Sequence, residues 1–269
     1  MFNYAEVTPQ SNFSNYIRKF WVLDNLNHPL ISEGRYTLPN GCFTIAFVSG
    51  QGIIWENNAG IKHIGDGIYL VGQTTKRLKV SLMPYTKAIM VQFNPWAISL
   101  VTNLPLNEIT DRYADLKDIN NAAYLKFMDA GKLDVNAVEA KCYDVFGSFF
   151  NNSTANSTLV QALCLRLSGD LLNPSLKMDD VANYAGYSKR YIEKKFNDHI
   201  GMAPQSFRSI LRMRSLVNEL DKDKSLAEVY YKYGYYDQSH FIKSYSKIMD
   251  SRPTKFDSHQ YILPFSNNT

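Results

Sequence analysis

The segment "VANYAGYSKRYIEKKF" (residues 181–196) reappears in altered form as "VYYKYGYYDQSHFIKSY" (residues 229–245). Each copy contains a short helical stretch, a glycine (Gly186 or Gly234), an aromatic residue and a polar residue able to cap a following helix. A short helix, a glycine-containing turn and a second helix make up a helix-turn-helix unit. The sequence therefore predicts two such units in one helical region.

Helical spacing divides each second helix into a buried stripe and an exposed face. The pair Ile192 and Phe196 and the pair Phe241 and Tyr245 fall on the buried stripes. The exposed faces carry side chains with the donors and the reach to contact base edges or phosphates in a major groove. Together with an arginine of the intervening segment, the predicted DNA-contacting residues are Ser188, Lys189, Arg190, Glu193, Lys194, Arg212, Gln238, Ser239, His240 and Lys243.

The segment between the copies, "PQSFRSILRMRSLVNEL" (204–220), has the pattern of a single helix. A helix of this length can hold the units apart, so that their second helices enter successive major grooves about 34 Å apart.

The charge distribution is compatible with a polyanionic partner. Residues 1–160 carry 13 basic and 13 acidic side chains, whereas residues 161–269 carry 16 and 12, which accounts for the net charge of +4. Seven basic and two acidic residues fall within 186–218. Such an excess indicates either a surface for nucleic acid or a solvated helical face.

The C-terminal hundred residues resemble the DNA-binding domain of AraC-type transcription regulators. The resemblance covers some twenty positions over about 80 residues and implies a bacterial-type, cytoplasmic regulator that binds double-stranded DNA and contacts RNA polymerase. The matching residues of the first unit are Ala182, Gly186, Ser188, Ile192, Lys194, Phe196, Gly201, Pro204, Arg212 and Met213; those of the second are Val229, Tyr230, Gly234, Tyr235, Asp237, Gln238, Ser239, His240, Phe241, Lys243, Tyr245 and Pro253.

Some positions depart from that pattern. Tyr230 replaces a small alanine, which predicts different or looser packing of the second unit. Lys194 and Lys243 stand where arginine is usual, so they keep the attraction to phosphate but lose bidentate recognition of guanine. Asp250 occupies the position of a helix-ending glycine.

Asp237, Ser239 and His240 are the residue types of a serine hydrolase triad. Neighbouring residues in one helical turn fan out around the helix, so they cannot align as orienter, nucleophile and base. Asp237 is instead predicted to cap the second recognition helix, and no catalytic residue is predicted.

The N-terminal half has the periodicity of a small β-barrel or sandwich. "CFTIAFV" (42–48) is apolar on both faces and "RLKVSLM" (77–83) alternates, with turn residues between such runs. Apolar residues at helical spacing predict a closing helix, either packed on its own barrel or forming a dimer seam: Val135, Val138, Cys142, Val145 and Phe149. The predicted division is a sensor or dimerisation domain at 1–150, a polar linker at 151–158 and a helical domain at 159–269.

This half is similar to the cupin-like sensor domain of some AraC relatives. The matching stretches are "LPNGCFTIAF" (38–47), "LVGQTT" (70–75) and "VQFNPWA" (91–97). The likeness implies homodimerisation or binding of a small-molecule effector. Trp55, Tyr69 and Trp96 are candidates to line the mouth of the barrel, with ordinary core packing as the alternative.

Two other functions remain open at this stage. A metal-dependent cupin enzyme would need clustered ligands, but this half has only His28 and His63 and no H-x-H, so no metal or cofactor is predicted. A protein-binding adaptor would keep its function after charge reversal at Arg190 and Lys194. Three separated cysteines, no signal peptide and no membrane-spanning run indicate a reduced cytoplasmic protein without a membrane partner.

Overall fold

The computed structural model describes residues 2–9, 12–102, 104–128, 134–151, 155–173, 176–220 and 226–262. All ten strands among them precede the first α-helix. The strands are β1 (Asn3–Val7), β2 (Ile17–Asp24), β3 (Arg35–Thr37), β4 (Thr44–Ser49), β5 (Ile53–Asn57), β6 (Gly60–Ile64), β7 (Gly67–Val71), β8 (Leu78–Leu82), β9 (Lys87–Phe93) and β10 (Tyr113–Asp115). The α-helices are α1 (Leu116–Ile119), α2 (Asn121–Phe127), α3 (Val135–Asn151), α4 (Ala155–Gly169), α5 (Met178–Ala185), α6 (Lys189–Ile200), α7 (Pro204–Leu220), α8 (Leu226–Lys232) and α9 (Gln238–Met249). The fold is therefore mostly β in its first half and helical in its second, as predicted.

The strands form two antiparallel sheets. One has the order β1-β2-β9-β4-β7-β10 and the other the order β3-β8-β5-β6. Strand β8 alternates between buried and half-buried residues, and β4 is buried on both faces, as their sequences predict. The two sheets enclose an apolar interior that includes Trp21, Val80 and Met90.

The outer face of the six-stranded sheet is covered by α2 and α3. Phe127 packs edge-on against Phe47, and Phe146 packs edge-on against Phe93. The predicted stripe of α3 is partly wrong, because Phe149 is 42% exposed while Phe146 and Phe150 are buried. The helix therefore packs on its own sheet through a face that is turned slightly from the predicted one.

The helices from α4 onward share a continuous hydrophobic core with this outer face. The core includes Phe43 and Phe93 of the β region (residues 2–151) and Phe196 and Phe207 of the helical region (residues 155–262). Of the predicted linker 151–158, residues 152–154 lie outside the described residues. Asn151 ends α3 and Ala155 begins α4. The division between the domains at this point stays a prediction.

Direct contacts join the two regions. The hydroxyl of Thr110 donates to the carbonyl oxygen of Gly201 at 2.6 Å. The N–H of Arg77 donates to the carbonyl oxygen of Ile248 at 2.9 Å, and the ring of Phe207 packs against Gly41. The β region therefore contacts α6, α7 and α9.

All three cysteines are buried and not bonded to one another. In the part of the chain that the structure describes, no helix has the length and apolarity to cross a membrane.

Candidate nucleic-acid interface

The first helix-turn-helix unit consists of α5 and α6. Gly186 ends α5 with a left-handed φ of 72°, a conformation that side chains with a Cβ rarely adopt. Ser188 then caps α6, because its hydroxyl accepts a hydrogen bond from the N–H of Tyr191 at 3.3 Å. Ile192 and Phe196 are buried as predicted. The cap thus defines the residue at which the first recognition helix begins, and the two buried side chains fix the rotation of the helix about its own axis.

The second unit, α8 and α9, repeats this arrangement. Gly234 has a φ of 71°, and a carboxylate oxygen of Asp237 accepts from the N–H of His240 at 2.7 Å. Phe241 and Tyr245 are buried as predicted. Asp237 is therefore the helix cap that the sequence predicts.

The departures from the pattern of the first unit are accommodated locally. Tyr230 is buried and its ring stacks on Phe241, with centroids 5.4 Å apart and planes at 16°. The second unit thus packs differently, with an aromatic stack where a small residue would leave space. Asp250 ends α9 with a left-handed φ of 49°.

The recognition helices leave the predicted polar residues outside the core. Ser188, Lys189, Arg190, Lys194, Gln238, Ser239, His240 and Lys243 are exposed, and Glu193 is half-buried. Lys189 lies 3.9 Å from a carboxylate oxygen of Asp179, and the ring of His240 packs edge-on near Tyr235. Each helix therefore offers cations or amide and hydroxyl groups to a ligand.

Arg212 is the predicted DNA-contacting residue that lies off both recognition helices. It belongs to α7, and its guanidinium lies over the ring of the buried Tyr235 at 4.7 Å. This contact connects α7 to the turn before α9. Arg212 therefore has a packing role, and its contact with DNA stays a prediction.

The three predicted ligand-lining aromatics do not lie together. Trp55 and Tyr69 both contact Tyr113 in the interior between the sheets, with centroid distances of 5.5 and 5.8 Å. Trp96 packs in the core on the outer face, and its indole N–H donates to the carbonyl oxygen of Asn15 at 3.1 Å. Trp96 therefore packs apart from the other two aromatics, and the ligand-binding role of all three stays a prediction.

Sequence reasoning missed a polar cluster at one end of the sheet interior. The ammonium of Lys19 lies 2.6 Å from a carboxylate oxygen of Glu6, which also accepts from the hydroxyl of Tyr4. Lys19 and Gln92 are directly paired across β2 and β9, so they share a face. Gln92 is fully buried, and neither of its amide atoms has a hydrogen-bond partner among the described residues.

Helix α7 adds a half-buried cation, Arg214, to this cluster. Burial, followed by the charge of Arg18, lowers the pKa of Arg214 to about 10. Burial also lowers the pKa of Lys19, against the effect of Glu6. Within the described residues, Nη1 of Arg214 has no hydrogen-bond partner. The only sequence signal for this cluster is a lysine at an inward position of the apolar strand "IRKFWVLD".

Among the described residues, no group of three or more histidine, cysteine, aspartate or glutamate side chains is arranged to bind a metal ion.

Two family models match the chain. Residues 181–259 match a family described as a helix-turn-helix domain, and residues 5–115 match one described as a domain of unknown function (DUF6597). The first match covers both units described above except for the first three residues of α5. The second coincides with the strands of the β region.

Two curated proteins are similar to part of the chain. The probable transcription factor PqrA of Proteus vulgaris is 29% identical over 85 residues, which are 31% of this chain and 70% of PqrA. The TetD protein of transposon Tn10 from Escherichia coli is 27% identical over 108 residues, 40% of this chain and 78% of TetD.

Two solved structures are also similar. ToxT from Vibrio cholerae O395 is 12% identical with a TM-score of 0.45, over 98% of this chain and 97% of ToxT. The C-terminal domain of AraT, a response regulator from Geobacillus stearothermophilus, is 17% identical with a TM-score of 0.37, over 43% of this chain and 97% of that domain.

Proposed function

We propose that this chain, a transcription regulator of the AraC type by its helix-turn-helix domain, reads DNA with both α6 and α9. The main support for this proposal is that the two helix-turn-helix units have the same local structure. In each, a left-handed glycine ends the first helix and a side-chain cap begins the second. Two recognition helices on one chain suit two successive stretches of major groove.

Helix α7 supports this arrangement because it lies between the two units and packs in their common core. It has 17 residues and is about 25 Å long at 1.5 Å per residue. Its buried residues Phe207, Ile210 and Met213 hold it in the core between the units. The spacing between the recognition helices is therefore a property of the folded domain.

The exposed residues suggest distinct roles on the DNA. Arg190, Lys194 and Lys243 supply positive charge for phosphates or for guanine, and Gln238 suits adenine in bidentate geometry. Glu193 can accept a hydrogen bond from the amino group of cytosine. Ser188, Lys189, Ser239 and His240 lie at the beginnings of the helices, where they contribute contacts to the backbone. Arg212 contributes indirectly, because its contact with Tyr235 stabilises the turn before α9.

The β region is proposed to control DNA binding. The half-buried Arg214 has one buried, unpaired guanidinium nitrogen, and Gln92 has an unpaired amide beside Lys19. Burial of unpaired polar groups is costly, so these groups favour a polar, anionic small-molecule effector at the junction of the two regions. An effector there would contact α7 directly and shift the population of DNA-binding arrangements. We also propose that the chain forms homodimers, contacts RNA polymerase, is located in the cytoplasm and has no enzymatic activity.

Selection from random duplex DNA tests the reading of DNA by both helices. The purified chain is expected to enrich a motif with two parts about one helical turn apart. Lys194→Ala is expected to relax or remove one part, and Lys243→Ala the other. Lys126→Ala, which removes an exposed lysine from α2, is the charge-matched control and is expected to leave the motif unchanged. Reading by both helices would be refuted if the enriched motif had a single part and only one of the two recognition-helix variants altered it.

A further inference from the structure

Helix α7 has a further face, different from the one that packs on the β region. Phe207 and Leu211 pack against Gly41 of the β region. Residues at the spacing i, i+3, i+4 and i+7 follow a different face of the same helix: Gln205, Arg208, Ser209 and Arg212. This second face borders a cavity.

The cavity has a volume of about 210 Å³. One wall is apolar and comes from α4, α5 and the segment between them: Leu167, Leu176, Met178 and Val181. The opposite wall is the polar face of α7. Among the described residues, no lining residue belongs to α6 or α9, so the cavity lies off both recognition helices.

The cavity is positively charged. Among its lining residues, in the described part of the chain, two are arginines and none is acidic. Burial and the charge of Arg212 lower the pKa of Arg208, so the two guanidinium groups are near enough to repel each other. The carboxylate of the nearby Asp170 lies 3.1 Å from Arg166.

Both arginines are held in place by their surroundings. Arg208 donates to the carbonyl oxygens of Asp170, Asn173 and Leu176, which fixes its guanidinium on the segment between α4 and α5. Arg212 lies over Tyr235. Cations that are fixed before a ligand arrives lose little conformational entropy on binding it.

We propose that this cavity binds a small organic carboxylate with a compact apolar body. The carboxylate faces Arg208 and Arg212, and the apolar body lies against Leu167, Met178 and Val181. A cavity of about 150 Å³ can hold benzene, so the observed volume suits a ligand of about the size of benzoate. The combination of an apolar wall with fixed cations selects against both neutral aromatics and inorganic anions.

Calorimetric titration of the full chain tests the site, with benzoate as the probe and benzamide and inorganic phosphate as controls. Benzoate is expected to bind at one site and to saturate below about 10 mM, whereas benzamide and phosphate give no saturable heat. Gln205→Phe places a ring at the mouth of the cavity from an exposed position and is expected to abolish binding. Arg212→Gln is expected to weaken binding about tenfold or more, and Arg252→Gln, at an exposed arginine elsewhere, less than twofold.

Circular dichroism of each variant shows whether it folds. If Gln205→Phe loses its helical signal, its loss of binding is uninformative, and the affinity of Arg212→Gln for benzoate tests the site. The proposal is overturned if benzoate does not saturate, if benzamide or phosphate binds as well as benzoate, or if a folded Arg212→Gln binds benzoate like the unmodified chain. The calorimetric titration contains no DNA. A failure of the proposed DNA binding would therefore appear only in the selection experiment and would not affect this test.

Discussion

The hydroxyl of Thr110 donates a 2.6 Å hydrogen bond to the carbonyl oxygen of Gly201, the residue that ends α6. Arg77 makes the corresponding contact at α9, where its guanidinium donates to the carbonyl oxygen of Asp250 at 3.3 Å. Both recognition helices therefore end on the β region while their first turns are exposed. A change in the β region can reach both helices through these two contacts.

Arg77 is expected to hold the end of α9 in place. Its guanidinium also lies over the ring of Tyr36 at 4.0 Å, so Arg77→Ala removes a charged hydrogen bond and a cation–π contact. We expect hydrogen exchange in the last turn of α9 to become about tenfold faster, which corresponds to about 1.4 kcal/mol. Mass spectrometry of exchanging peptides measures this. Lys76→Ala, at the exposed neighbouring residue, is the control, and equal protection in both variants would contradict the contact.

The cap of α9 is expected to contribute to stability. Asp237→Ala leaves the N–H of His240 without its acceptor and should lower the free energy of unfolding by about 1 kcal/mol. Asp237→Asn keeps an acceptor oxygen and should lose less. Urea unfolding followed by far-ultraviolet circular dichroism measures both, and equal losses would show that the cap contributes nothing beyond its charge.

DNA affinity should depend on salt through the exposed lysines. Each phosphate contact contributes about 0.9 to the slope of log affinity against log salt concentration. Lys194→Ala and Lys243→Ala should therefore each reduce this slope by about 1, as measured by fluorescence anisotropy on the selected duplex. Lys126→Ala should not change it. An unchanged slope in either recognition-helix variant would mean that this lysine does not contact phosphate.

Stability is expected to fall in mildly acidic solution because of His199. Burial, followed by the charge of Lys195, lowers the pKa of this half-buried imidazole below its usual 6.5. The unfolded chain therefore takes up a proton first, and the stabilisation present above about pH 6.5 is lost as the pH falls through the pKa of the folded state. His199→Gln should reduce the difference between urea midpoints at about pH 7.5 and pH 5.5. His28→Gln, at an exposed loop position, is the control, and an equal effect of both changes would exclude His199 as the cause.

Arg214 is expected to cost stability when no effector is present. Arg214→Met keeps a long side chain but removes a buried charge with an unpaired nitrogen, so we expect the free energy of unfolding to rise by about 1–3 kcal/mol. Thermal unfolding measures this, with Arg112→Met at an exposed position as the control. A large loss of stability would mean that Arg214 is paired in solution and would remove the main support for an anionic effector at this position.

Both helix-turn-helix units could be predicted from the order of residues alone. Gly186 and Gly234 end the first helix of each unit, and Ser188 and Asp237 cap the second. These interactions involve residues close together in the chain, so the local order of residue types predicts them. The buried positions of α6 and α9 follow from the helical period for the same reason. In the β region, alternation predicted β8, since one face of that strand is buried.

How these parts contact one another depends on tertiary packing and could not be predicted from local sequence. The rotation of α3 that exposes Phe149, and the separation of Trp96 from Trp55, depend on which face of the sheet each element covers. The placement of Arg214 beside Arg18 joins residues that are almost 200 positions apart in the chain. No local period in the sequence indicates such a contact, because it results from the packing of α7 against residues that are distant in the chain.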